Sequence, residues 1–256
     1  MNQQTPAFFK APHGTKIGYF RTIGEAPTVI FMGGLMSDMS GTKALFLENW
    51  CREKGQAFLR FDYAGHGASS GSFEEGTIGS WHRDTLAAID HLTEGPLVLV
   101  GSSMGGWQVL LAALARKDRV VGLVGLAPAP DFTERILWAN LEETHIREMM
   151  ENGKVLIPSE YGDEPYIFTK GLIEDGRQHL LLDNPIDLDI PVRLIHGTAD
   201  NDVPYQISLD IIAQLEAKEA ELVLIKGANH KLSSPEDLAH LTNALESILE
   251  KVKDEN

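Results

Sequence analysis

The sequence predicts an α/β fold built on a doubly wound, mostly parallel sheet with helices on both faces. Short apolar runs alternate with helical stretches along most of the chain. Those runs are close to continuously apolar, as strands covered on both sides require. A length of 256 residues, 43% of them hydrophobic, suffices for one domain (1–256) with one sizeable core.

The elements are expected in the following order. Residues 16–23 alternate around Ile17, Tyr19 and Ile23 as a half-buried strand does, and 28–32 form an apolar run bounded by Pro27 and Gly33. A helix over 42–54 is read from the spacing of Leu45, Phe46 and Trp50, with Gly55 as its C-terminal cap. A strand at 57–61, a helix at 78–92, a strand at 96–100, a helix at 107–116 and a strand at 120–126 continue the alternation. It breaks once, over 131–190, expected as two helices around an irregular segment with Pro158, Gly162 and Pro165. An insertion that long after a sheet strand usually serves function. Its apolar Ile136, Leu137, Trp138, Leu141, Met149 and Met150 are expected to form a helical lid over an apolar substrate; the alternative is that they pack against one another. The rhythm resumes with a strand at 191–195, a helix at 204–217, a strand at 221–225 and a last helix at 235–251.

Charge narrows the partners. Lys and Arg total 22 against 37 Asp and Glu, a formal charge of −15, which disfavours nucleic acid and anionic lipid surfaces. No stretch reaches the length of a membrane span. Cys51 is the one cysteine, so no intrachain disulfide forms, and its helical setting reads as a packed thiol. Residues 1–10 hold neither a basic segment nor a long apolar run, so the expected location is cytoplasmic, or mitochondrial if a transit peptide has been removed. The expected assembly is a monomer or homodimer.

Chemistry enters at Leu99-Val100-Gly101-Ser102-Ser103-Met104-Gly105-Gly106, where an apolar strand runs through a Gly-Xaa-Ser-Xaa-Gly turn into an Ala/Leu-rich helix. That context marks a nucleophile elbow. Glycines two before and two after Ser103 allow a sharp turn that presents its Oγ, whereas Ser102 lacks that flanking and reads as support for the turn. A serine hydroxyl needs a general base and an acid to orient that base, in the chain order serine, acid, histidine that accompanies this elbow. His145, His179, His196 and His240 follow Ser103 on the insertion, on a strand end or on the last helix. His230, in Gly227-Ala228-Asn229-His230 directly after the last strand, is the best-placed base. Asp200, after the preceding strand, is the first choice of acid; Asp131 and then Asp202 remain alternatives.

An acyl-transfer oxyanion calls for preorganised backbone N–H groups. The Met104 amide is one candidate, and the Leu35 amide after Gly33-Gly34 is the second, with Gly34, Met36, Trp138 and Leu141 expected around the substrate. The turn Asp62-Tyr63-Ala64-Gly65-His66-Gly67 has no phosphate-loop ending, so His66 reads as a neighbour of the site and Asp62 as a turn stabiliser. No His/Cys cluster has metal-ligand spacing, and no cofactor is expected.

With these pieces assembled, the chain resembles the α/β-hydrolase superfamily. Gly41-Thr42-Lys43-Ala44, Arg60-Phe61-Asp62-Tyr63, the elbow through Trp107, and Arg193-Leu194-Ile195-His196-Gly197 are similar to a mitochondrial subgroup of palmitoyl-protein thioesterases that also cleave acyl glucuronides. The resemblance runs nearly end to end and implies Ser103, Asp200 and His230 as the triad. It also implies that a small acyl ester, or an S-acylated protein or other thioester, is the substrate. Other expectations are a general short-chain carboxylesterase, a serine peptidase of the same fold, and an inactive homologue that only binds a ligand.

Overall fold

The computed structural model describes residues 5–158 and 165–254. Gly162 of the irregular segment and residues 1–4 of the N-terminal stretch lie outside them. Ten strands are described: β1 Ala7–Lys10, β2 Lys16–Thr22, β3 Glu25–Met32, β4 Gln56–Phe61, β5 Leu97–Ser102, β6 Val120–Leu126, β7 Lys154–Ile157, β8 Tyr166–Thr169, β9 Val192–Gly197 and β10 Ala220–Ile225. The helices are α1 Thr42–Glu53, α2 Ile78–Leu92, α3 Met104–Ala115, α4 Glu143–Asn152, α5 Lys170–Gly176, α6 Gln206–Gln214 and α7 Pro235–Asp254.

Eight strands form one sheet in the order β1-β2-β4-β3-β5-β6-β9-β10. From β4 to β10 every pairing is parallel, while β1 and β2 add an antiparallel edge. Both faces are covered because side chains alternate along each central strand. Ile30, Met32, Leu97 and Leu99 enter one apolar cluster with Trp81, Trp107 and Ile211 from α2, α3 and α6. Their neighbours Val29, Phe31, Val98 and Val100 enter a second cluster with Leu47 of α1 and Leu241, Leu245 and Ile248 of α7. This is the doubly wound α/β architecture expected from the continuous apolar runs.

Register brings the functional loops to one edge. Met32 pairs with Gly101, Ser102 with Leu126, Leu126 with Ile195, and Gly197 with Ile225. The carboxyl ends of β3, β5, β6, β9 and β10 therefore stop at nearly the same level, and the loops that leave them are neighbours.

Three elements differ from the expectation. The helix expected at 107–116 begins at Met104, directly behind the turn, because Ser103 itself adopts φ 56° and starts the helix there. The edge strand β1, only four residues long, carries no periodic signal. The insertion does hold two helices, but the segment between them is not simply irregular. The insertion consists of a wide π-type turn Thr133–Trp138, helix α4, the antiparallel pair β7 and β8, and the short helix α5. Four-residue strands such as Lys154–Ile157 and Tyr166–Thr169 are too short for alternation to separate them from loop.

Candidate active site

Ser103 sits between β5 and α3 with φ 56° and ψ −122°, a conformation that costs a non-glycine residue on the order of 1–3 kcal/mol. Surrounding bonds hold it there: Ser103 N–H donates to Leu126 O at 3.0 Å, and Ser103 O accepts from Gly106 N at 2.8 Å and Ala129 N at 3.0 Å. Gly105 makes the tight approach possible, since a Cβ there would run into the carbonyl oxygens of Met32 and Gly33 at the end of β3. Ser102 is buried as the last residue of β5, one position before the turn.

The loops after β9 and β10 are stitched together, with Gly227 N–H donating to Thr198 Oγ1 at 2.9 Å and Ala199 N–H to Ala228 O at 3.0 Å. That stitching sets His230 beside Asp200. His230 Nδ1 lies 2.8 Å from Asp200 Oδ2, and His230 Nε2 lies 3.0 Å from Ser103 Oγ. Because a carboxylate can only accept, Nδ1 carries the proton and Nε2 is free to accept the serine proton. The other carboxylate oxygen of Asp200 accepts from Asp202 N at 3.0 Å and Val203 N at 2.8 Å.

His196 completes the surroundings of the acid. Fully buried, it places Nε2 at 2.9 Å from Val203 O and 3.2 Å from Asp200 Oδ2, while Nδ1 takes the hydroxyl of Ser208 at 2.7 Å. Burial pushes the Asp200 carboxyl up, but hydrogen bonds from His196 and His230, the His230 charge and the Val203 amide together hold it well below the usual carboxylate range. It stays ionised at neutral pH.

The alternative acids are elsewhere engaged. Asp131, buried at the exit of β6, gives one oxygen to Leu181 N and the other to Leu182 N, each at 2.8 Å. Asp202 contributes its amide to Asp200 and its side chain to the cavity wall. Among the described residues, Asp200, Asp202 and His230 form the one group with metal-ligand spacing. His230 Nδ1–H already donates to the Asp200 carboxylate, an arrangement suited to proton transfer.

A cavity of about 690 Å³ opens in front of Ser103. Gly34, Leu35, Met36, Met104 and His230 line its floor, and Phe132, Ile136, Leu137, Leu141, Ile157 and Phe168 line its apolar wall. Gly34 approaches closely: a Cβ there would stand 3.2 Å from Ser103 Cβ. Met104 is the first helical residue, so its N–H has no partner within the helix.

Trp138 is a correction. It does not line the cavity; the wide turn carries Ile136 and Leu137 inward, and the Trp138 ring instead packs under the Arg177 guanidinium at 4.7 Å. Met149 is buried within the insertion, Met150 is exposed, and His145 of α4 reaches the cavity wall.

Two residues were not assigned a role by sequence reasoning. Lys43, from the first turn of α1, donates to Lys231 O next to His230; burial lowers its ammonium to about 8, partly offset by Asp237. His66 accepts from Met36 N. Only the second had a visible signal, its place in a glycine-rich turn at the functional edge.

Comparison with known proteins gives concordant results. The model of the alpha/beta hydrolase family matches residues 51–241. The mitochondrial palmitoyl-protein thioesterase ABHD10 of Bos taurus is 37% identical over 247 residues, covering 96% of this chain and 80% of the relative. A solved protein of Agrobacterium vitis S4 superposes with a TM-score of 0.92 at 38% identity, covering 95% of this chain and 98% of that one. Mouse alpha/beta hydrolase domain-containing protein 10 follows at 0.90 and 34%, covering 97% and 100%. Among the described residues, no helix is long and apolar enough to cross a membrane.

Proposed function

The chain belongs to the alpha/beta hydrolase family, and from that premise we propose that it is a serine hydrolase of acyl thioesters and carboxylic esters, with Ser103 as nucleophile, His230 as general base and Asp200 as its orienting acid. The observation that carries this reading is the unbroken chain Ser103 Oγ, His230 Nε2, His230 Nδ1, Asp200 Oδ2, with links of 3.0 and 2.8 Å, at the floor of an apolar cavity.

In the first half-reaction Ser103 Oγ attacks the acyl carbonyl carbon while His230 Nε2 takes the hydroxyl proton. The carbonyl electrons move onto oxygen, facing the Leu35 and Met104 amides. Their return breaks the C–S or C–O bond, and His230 hands its proton to the departing thiol or alcohol. A water then attacks the acyl-enzyme, His230 accepts its proton, and Ser103 is regenerated as the carboxylic acid leaves. No step requires a cofactor. Asp200 stays ionised, fixes the Nδ1–H tautomer and stabilises the imidazolium.

The substrate reading is a medium or long acyl group, on an S-acylated protein or a small thioester or ester. Two things support it: the name of the ABHD10 relatives and the apolar wall of Phe132, Ile136, Leu137, Leu141, Ile157 and Phe168. All six residues come from the insertion 131–190, which on this reading acts as a lid. The test compares wild type and Ser103→Ala on a chain-length series of acyl thioesters beside matched oxyesters, following released thiol or alcohol. Turnover of the longer thioesters, lost in Ser103→Ala, is the expected result. Hydrolysis of short oxyesters alone would make the protein a general carboxylesterase, and full activity of Ser103→Ala would end the reading.

A further inference from the structure

The loop that carries the second oxyanion donor is built against its own conformational preference. Gly34 to Ser37 form a turn closed by Ser37 N–H donating to Gly34 O at 3.2 Å, and its third residue, Met36, sits at φ 56°. Turns with positive φ at that position favour glycine or asparagine. A methionine there is strained, and the loop needs outside anchors to hold it.

The anchors come from the turn after β4. Leu35 N–H belongs to the Gly34–Leu35 peptide group, whose carbonyl is held by Ser37. The peptide group before it presents Gly33 O to Tyr63 Oη at a long 3.4 Å. The group after it is the strained one, and its Met36 N–H donates to His66 Nε2 at 3.2 Å. Further along, Met39 N–H donates to Asp62 Oδ1 at 2.6 Å. Leu35 N–H is thus the middle group of three whose orientations are fixed.

His66 is suited to this task and to little else. It is buried, exposing only 4% of its surface, among Tyr63, Phe73 and Trp81, with ring centroids 5.6, 5.3 and 5.2 Å away. Its Nδ1 lies 3.2 Å from Ala64 O, which can only accept. The proton is therefore on Nδ1, and Nε2 offers a lone pair to Met36. Burial also pushes the imidazole below its usual range, against the Ala64 carbonyl and the Asp84 charge, and so keeps it neutral.

We propose that His66 is a positioning residue for catalysis: by accepting the Met36 N–H it holds the strained Leu35–Met36 peptide and so keeps the Leu35 amide aimed at the oxyanion beside Ser103. The inference rests on the serine-hydrolase reading above. It touches neither substrate nor Ser103 and acts only through the loop. Its signature is a loss in kcat with KM unchanged, because the misaimed donor matters chiefly when charge develops on oxygen.

The experiment measures kcat and KM of wild type, Ser103→Ala, His66→Phe and His66→Gln on one acyl thioester, with inhibition by a trifluoromethyl ketone bearing the same acyl chain. Phenylalanine keeps a ring in the aromatic box but removes the acceptor; glutamine restores an acceptor oxygen. Should His66→Phe not fold, His66→Ala takes its place. Losing an oxyanion donor costs about 10²–10³ in rate, so misaiming one is expected to lower kcat about 10- to 100-fold in His66→Phe. KM should stay within about twofold, inhibitor affinity should fall in step with kcat, and His66→Gln should recover most of the loss. Wild-type kcat in His66→Phe, equal losses in both variants, or a change confined to KM would overturn the inference. Activity remaining in Ser103→Ala would instead remove the reading on which it rests.

Discussion

Asp131 and Asp200 occupy equivalent places, each with its carboxylate buried in a loop at the carboxyl edge of the sheet, after β6 and after β9. Their surroundings differ in how the carboxylate oxygens are used. Both oxygens of Asp131 are consumed by the amides of Leu181 and Leu182, whereas Asp200 spends one oxygen on Asp202 and Val203 amides and turns the other toward His230 and His196. The first carboxylate is a clamp, and the second is free for the orienting role proposed for it. What separates the two roles is how many lone pairs the backbone leaves unclaimed.

The sharpest way to break that contrast is to neutralise each acid in turn. Asp200→Asn is expected to lower kcat by about 10³–10⁴, because an amide in that place disturbs the His230 tautomer, while Asp131→Asn should keep kcat within about threefold. Steady-state kinetics on a single thioester decide it; the reverse pattern would exchange the two assignments.

At Asp131 the effect should fall on stability instead. Asp131→Ala leaves the Leu181 and Leu182 amides without acceptors, at about 1–3 kcal/mol each, and Asp131→Asn should lose about half as much. Denaturant unfolding measures both.

The pH dependence sharpens the comparison further. Burial raises the Asp131 carboxyl above the usual range despite the Leu182 and Leu181 amides and Arg135, while Asp200 is held below it. Asp200 therefore contributes stability in full above its unfolded pKa of about 3.9 and loses it as pH falls below. Asp131 contributes most below that value and less as pH rises through its raised folded pKa. Melting curves between about pH 3 and about pH 7 should show the gap between wild type and Asp200→Asn closing toward acid. Relative to Asp131→Asn, wild type should gain stability over the same interval.

The smallest effect is expected at Ser208→Ala. It removes the hydroxyl on His196 Nδ1, a bond worth about 1 kcal/mol, and should reduce kcat by about fivefold or less through the slackened Asp200. An unchanged kcat would make His196 a partner of Val203 alone.

The sequence made the sheet legible because central strands such as 28–32 and 120–126 are almost free of polar residues, a pattern that needs no tertiary context. It made Ser103, Asp200 and His230 readable as candidates because each lies in the turn or loop that leaves a sheet strand. The insertion was not readable in the same way. Its pieces are four to ten residues long, and the wide turn Thr133–Trp138 departs from the helical period, which is why Trp138 faces Arg177 and not the cavity. The His66 contact was hidden for another reason: it joins residues 30 positions apart through a backbone amide, and nothing in a side-chain pattern records where an N–H points.

The Asp131 clamp has a consequence for the segment that follows it. It joins the exit of β6 to Leu182, 51 positions later, and so holds the two ends of that segment together at the sheet edge. Loop closure grows only logarithmically with length, so the hold depends weakly on how many residues lie between. The contents are tied to the body as well: Gly79 N–H donates to Asp175 Oδ2, Trp107 Nε1–H donates to His179 O, and Val155, Phe168, Leu172 and Ile173 share one apolar cluster with Trp81 and Trp107. A substitution in the cavity wall is therefore felt by α2 and α3, the helices that cover the same face of the sheet.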